Sequence, residues 1–156
     1  MSEFLVALSI GLGMVFSLLM SEIIGLTAGG IIVPGWIAIH LHNPMTVIVT
    51  FSIAIIVFLI IQGLSKFIFI YGKRRLVISL LLGFIFGLIF NTYISDILSF
   101  DESEIKIYSI GFIIPGMIAN WMNRQGVIRT IAIILITAPV VQLIIMFLTQ
   151  GKIFNV

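Results

Sequence analysis

The sequence predicts an all-α integral membrane protein made of two inverted three-segment repeats, each with a helix broken at a Pro-Gly pair. Three observations predict it. Hydrophobic residues make up 61% of the chain and charged residues only 9%, with a mean hydropathy of +1.32, whereas a soluble domain carries about a quarter charged residues. No Asp, Glu, Lys or Arg occurs from Ile23 to Ser65; as helix that run would extend about 65 Å, enough to cross a ~30 Å hydrocarbon core twice. Finally, a nine-residue element appears twice, as Gly30-Ile31-Ile32-Val33-Pro34-Gly35-Trp36-Ile37-Ala38 and as Gly111-Phe112-Ile113-Ile114-Pro115-Gly116-Met117-Ile118-Ala119, with six of nine positions identical. Proline removes a backbone donor and glycine tolerates unusual dihedrals. Freed backbone polarity in lipid must find a protein or water-lined partner, and matched interruptions in two halves point to a site at the repeat interface.

Six apolar segments follow in order. The first runs from Phe4 to Met20, and since Met1-Ser2-Glu3 lacks the positive region of a cleaved leader, it is expected to remain as a span. The second, Gly25 to Ile39, holds the first Pro-Gly pair. The polar turn His40-Leu41-His42-Asn43-Pro44 separates it from the third, Met45 to Leu64. The fourth runs from Leu76 to Tyr93, the fifth from Ile107 to Met122 with the second Pro-Gly pair, and the sixth from Thr130 to Leu148 with Pro139 inside it. Segments two and five are short for a helical span of ~20 residues, and extended backbone around each Pro-Gly pair lengthens their reach. Residues 1–156 form a single transmembrane domain with half-repeats 1–72 and 76–156.

Polar residues divide these segments. Lys73-Arg74-Arg75 lies at the midpoint and reads as a cytoplasmic loop, with the acidic stretch Asp96, Asp101, Glu102 and Glu104 beyond the fourth segment. If both short segments cross, Lys66, Lys73, Arg74, Arg75, Arg124 and Arg129 share the inside and only Lys106 and Lys152 lie outside. Four spans with two re-entrant segments would instead move Arg124 and Arg129 outside. The bias of basic residues toward the cytoplasm favours six crossings.

The candidate path for a polar substrate follows the interruptions: Gly30, Pro34, Gly35, Gly111, Pro115 and Gly116, with Asn120 and Gln125 as hydrogen-bonding groups beyond the second. Charged candidates are Glu22, alone between Glu3 and Lys66, the arginine-rich Lys73, Arg74 and Arg75, and Glu102 and Glu104 upstream of Pro115. Intramembrane carboxylates are costly and often functional, though Glu22 equally reads as an interfacial end of span one. Guanidinium groups grip carboxylates and phosphates bidentately, beside their role in fixing topology. Gly83 and Gly87, like Gly25 and Gly29, fit close helix packing. The chain has no cysteine, and His40 and His42 are too few for a zinc site, so no metal site is expected. No phosphate-binding loop, nucleophile elbow or zinc-protease motif is present. The +2 net charge is modest and its basic residues are clustered, which speaks to topology and not to nucleic acid.

Glu22-Ile23-Ile24-Gly25 with Gly29 to Gly35, then Leu64 to Phe67 and Tyr71-Gly72-Lys73-Arg74-Arg75, then Gly111 to Asn120 and Arg124-Gln125-Gly126, together resemble the CapC/PgsC family in order and spacing. These are small membrane subunits of bacterial poly-γ-glutamate synthesis. The resemblance implies a multi-pass protein of the bacterial cytoplasmic membrane that works with two partners. One is a CapB/PgsB-like, Mur-ligase-type amide ligase; the other is a membrane-anchored CapA/PgsA-like protein. ATP and magnesium belong to the ligase, and no cofactor is expected in this chain, nor catalysis by it alone. The implied function is to anchor the ligase and help the anionic polymer across the membrane, in contact with membrane lipids, and self-association with further copies is left open. Two other readings stand beside it: a small secondary transporter for an anion or amino acid, which inverted repeats also suit, and a purely structural anchor.

Overall fold

The computed structural model describes residues 2–66, 72–94 and 111–148. Six α-helices are seen there: α1 (Ser2–Ile24), α2 (Val33–Ile39), α3 (Pro44–Leu64), α4 (Lys73–Ile89), α5 (Ile114–Gln125) and α6 (Val127–Leu148), with a π-helical turn at Phe90–Ile94 prolonging α4. Among the described residues, four helices are long and apolar enough to cross a membrane: Val6–Ile24, Pro44–Leu64, Lys73–Thr92 and Val127–Leu148. Helices α2 and α5, of 7 and 12 residues, are too short to do so as helices.

The local sequence explains the boundaries. Gly25, at φ 73°, takes the left-handed turn that ends α1, its N–H donating to the Ser21 carbonyl at 3.0 Å. The chain then runs without helix through Gly29 (φ 73°) and Gly30 (φ 130°), the latter a conformation open to glycine and strained for other residues. Pro34, Pro44 and Pro115 each occupy the first turn of their helices, where proline's missing N–H costs nothing. This corrects the expected Pro-Gly-broken helices: each Pro-Gly pair starts a helix, and the first half's non-helical stretch lies upstream of it. The fixed proline φ favours a helical first turn, and in the first half residues 25–32, ahead of Pro34, are not helical. Pro139 alone sits inside a helix, α6.

Packing relates the two halves element by element. Helix α1 packs on α2 as α4 packs on α5; α3 lies on α5 as α6 lies on α2; and α3 meets α4 as α6 meets α1. The agreement reaches single residues. On α1 the buried positions Ser9, Gly13 and Ser17 face the first short segment; on α4, Ser79, Gly83 and Gly87 face the second. A Cβ on Gly13 would collide with the backbone of Gly35, its position lying 2.6 Å from the Gly35 Cα, and a Cβ on Gly83 would meet Gly116 Cα at the same 2.6 Å. The buried faces of α3 and α6 also match in order, with Thr46, Ala54, Val57 and Ile61 answered by Thr130, Ala138, Val141 and Ile145.

The same contacts give the course of the chain. After α1 ends, Gly30 lies beside Ser17 and Gly35 beside Ser9, so the segment runs back along α1. In the second half Phe112 lies beside Gly87 and Gly116 beside Ser79, and α5 continues until Asn120 and Arg124 reach the first turn of α4.

Candidate functional site

A cavity of about 450 Å³ opens where α5 arrives beside the start of α4, lined by Gly72, Lys73, Arg75, Leu76, Asn120 and Arg124. Two elements build it. Gly72, at φ 62°, turns the chain into α4; among the described residues no side chain caps the amide donors of that first turn, and the positive end of the helix dipole lies at the cavity. Lys73 and Arg75 stand in that turn, adding two formal charges to the same end. From the other side, α5 contributes Asn120 and, one helical turn on, Arg124.

Among the described residues the charge at the cavity is one-signed. Glu3 and Glu22 are the acidic residues in the described stretches, and the charged residues lining the cavity are all basic. Among the described residues Lys73, Arg75 and Arg124 form no ion pair. The Arg75 Nε is buried with no hydrogen-bond partner. Asn120 is only 4% exposed and reaches the cavity lining. Unsatisfied buried donors are rare because each costs about 1–3 kcal/mol, and they mark places where an acceptor belongs. Arg124 is placed by its own helix, its guanidinium carbon lying 4.8 Å from the centroid of the Trp121 ring. The arrangement suits an anion: two guanidinium forks, one ammonium, one carboxamide and a helix N-terminus converge on one space.

The structure brings together three of the candidates read from the sequence, Lys73, Arg75 and Asn120. It adds Arg124, which the sequence reading treated as a topology marker; its signal was its spacing of four from Asn120 on one helix face. Arg74 is exposed and outside the cavity lining, and Glu22 is exposed at the last turn of α1. Glu102 and Glu104 lie outside the described residues.

The Pro-Gly elements are not the cavity. Pro34, Gly35, Pro115 and Gly116 are buried. The Gly35 carbonyl accepts a hydrogen bond from Ser9 Oγ at 2.9 Å and the Gly30 carbonyl one from Ser17 Oγ at 3.2 Å. Gly116 is pressed on α4, its Cβ position 2.8 Å from the Leu80 Cα, while Gly111, at φ 55°, is an exposed turn ahead of α5. Gly35 and Gly116 thus serve close helix packing.

Gln125 has a different task. Its Oε1 accepts from the Thr27 N–H at 3.1 Å, and its Nε2 donates to the Thr27 carbonyl at 2.6 Å and to Thr130 Oγ1 at 3.1 Å. One side chain thus satisfies both main-chain groups of a non-helical residue 98 positions away, fastening the first half's unwound stretch to the junction of α5 and α6. Among the described residues no three His, Asp or Glu side chains gather as metal ligands.

Residues 12–131 match the family described as capsule biosynthesis CapC. The chain belongs to this CapC family. It is 35% identical over 121 residues to the "Capsule biosynthesis protein CapC" of Bacillus anthracis, covering 77% of this chain and 79% of that one. To the "PGA biosynthesis protein CapC" of Bacillus subtilis (strain 168) it is 31% identical over 120 residues, 76% of this chain and 78% of the relative. The matched span includes all six residues that line the cavity. No solved structure matches.

Proposed function

We propose that this chain is the membrane subunit of a bacterial poly-γ-glutamate synthesis and export complex, seated in the cytoplasmic membrane. There it holds the amide ligase at the inner face and receives the anionic product for passage outward. Family membership supports the pathway. The one-signed cavity carries the role: a polymer with a carboxylate on every residue cannot enter bare lipid and needs a cationic, hydrogen-bonding entrance.

In this reading the halves are inverted and each short segment crosses the membrane, part extended and part helical. The return of residues 30–35 along α1, the arrival of Asn120 beside Gly72, and the Gln125–Thr27 link support it. Lys66, Lys73, Arg74, Arg75, Arg124 and Arg129 then share one face, the cytoplasmic one by charge bias. The scaffold is duplicated but the charge is not. Counting along each helix from the Gly13/Gly83 match, and from Gly35/Gly116, the residues corresponding to Arg75, Asn120 and Arg124 are Leu5, Ile39 and Asn43. A cationic entrance at one end only gives the path a direction. A CapB/PgsB-like ligase with its ATP and magnesium, and a CapA/PgsA-like protein, are the partners in this proposal.

The test is made in cells carrying the whole complex. Arg75→Gln with Arg124→Gln should lower external polymer at least tenfold while the chain inserts normally and still co-purifies with the ligase. Undiminished external polymer from correctly inserted double variant rejects the proposal.

A further inference from the structure

The cavity holds more positive charge than one carboxylate can balance. Lys73, Arg75 and Arg124 bring three formal charges, and the start of α4 adds a partial one. The orphaned Arg75 Nε marks where an acceptor oxygen is required, and the Asn120 carboxamide and Arg124 guanidinium line the same cavity from α5. These groups come from different helices, so the acceptors must reach both walls of a 450 Å³ space. An interior residue of a γ-linked glutamate chain carries one free carboxylate. A carboxyl-terminal residue carries two, on one short side chain and its own α-carbon.

We infer that the Lys73/Arg75/Asn120/Arg124 cavity is a dianion site whose ligand is the carboxyl-terminal residue of the polymer, held by both of its carboxylates. This rests on the function proposed above and adds to it that the subunit reads the end of the chain and not its length. Arg75 and the first-turn amides of α4 take one carboxylate, while Arg124 and the Asn120 carboxamide take the other. Lys73 lies at the exposed rim and draws the polymer in. An end-reading site gives each chain a single point of engagement however long it grows.

The experiment measures binding to the full chain in lipid nanodiscs by calorimetry. The probes are a γ-linked glutamate trimer and a γ-linked tetramer ending in glutamine. Both carry four carboxylates, so they differ in the paired end and not in total charge. The trimer should bind roughly ten- to a hundredfold more tightly, the loss expected for one charge-assisted contact. Arg75→Gln and Asn120→Ala should remove that preference, and Arg129→Gln, outside the cavity, should keep it. Equal binding of the two probes overturns end reading, yet leaves the proposed function to stand on the cellular polymer assay. Displacement of the trimer by inorganic phosphate at lower concentration than by the trimer itself also overturns it, and assigns the cavity to a phosphate-bearing ligand. Preserved preference in Asn120→Ala and Arg75→Gln, with normal thermal stability, places the end elsewhere and overturns it as well.

Discussion

Replacing Gly83 with alanine should weaken the fold by a predictable amount, and replacing Gly13 should do the same. In each case the added methyl carbon falls 2.6 Å from a glycine Cα on the neighbouring short helix, Gly116 or Gly35, and closer still to that residue's nitrogen. Carbon atoms in favourable contact stand about 3.5–4.0 Å apart, so each helix pair must separate by about 1 Å. Neither obstacle is the end of a flexible side chain, so backbone has to move. Overpacking of this kind costs about 1–3 kcal/mol, with the rigid case at the upper end. Alanine returns up to about 1 kcal/mol of helix propensity over glycine. The net is about 2 kcal/mol, roughly a thirtyfold shift in the folded-to-unfolded ratio. Gly11→Ala on α1 is the control, because nothing stands within 4 Å of its Cβ position, and only the propensity gain applies. Reversible denaturant unfolding in detergent micelles reads all three. Gly13→Ala and Gly83→Ala as stable as Gly11→Ala would refute the close packing, and a loss in only one of them would refute the equivalence of the halves.

Further outcomes follow from individual contacts. Gln125→Leu strands the Thr27 N–H and carbonyl, each worth about 1–3 kcal/mol when unsatisfied, so the thermal midpoint should fall markedly, while Gln125→Glu, which keeps Oε1 and loses the amide donor, should fall less. Ser9→Ala should cost about 1 kcal/mol because the Gly35 carbonyl loses its donor. Ser79→Ala should cost less, since Ser79 Oγ donates to Leu76 of its own helix; equal losses in micelle unfolding would contradict this. Trp121→Leu removes the ring beneath Arg124, worth about 0.5–1 kcal/mol; oligomer binding should weaken a few-fold with little change in thermal stability.

Much of this fold was legible in the sequence, and the parts that were not have physical reasons. Apolar segments bounded by charge gave the four long helices to within a few residues, because hydrocarbon thickness sets their length. The duplicated Pro-Gly element marks the two short helices, α2 and α5, each with its proline in the first turn. In the first half Pro34 opens a helix and does not break one, because Gly29 and Gly30 have already unwound the chain ahead of it. The helix-packing reading of Gly83 and Gly87 agrees with their close approach to Gly116 and Phe112, whereas nothing stands within 4 Å of a Cβ built at Gly25. Lys73, Arg75 and Asn120 were visible as chemistry, but their convergence depends on α5 lying along α4, which no local spacing encodes. Gln125 looked like a hydrogen-bonding group for a substrate; its true partner, Thr27, lies in the other half, where sequence distance hides it.

Cysteine labelling tests the account's central claim, a cationic entrance on one face reached by short segments that cross the membrane. The chain has no cysteine of its own, so single substitutions at Asn43, Arg74 and Arg129 report without background. In intact cells an impermeant maleimide should label Asn43→Cys and leave Arg74→Cys and Arg129→Cys untouched until the membrane is permeabilised. Labelling of Arg129→Cys from outside, alongside Asn43→Cys and with Arg74→Cys still shielded, would make the short segments re-entrant, split the basic residues between two faces and contradict the account.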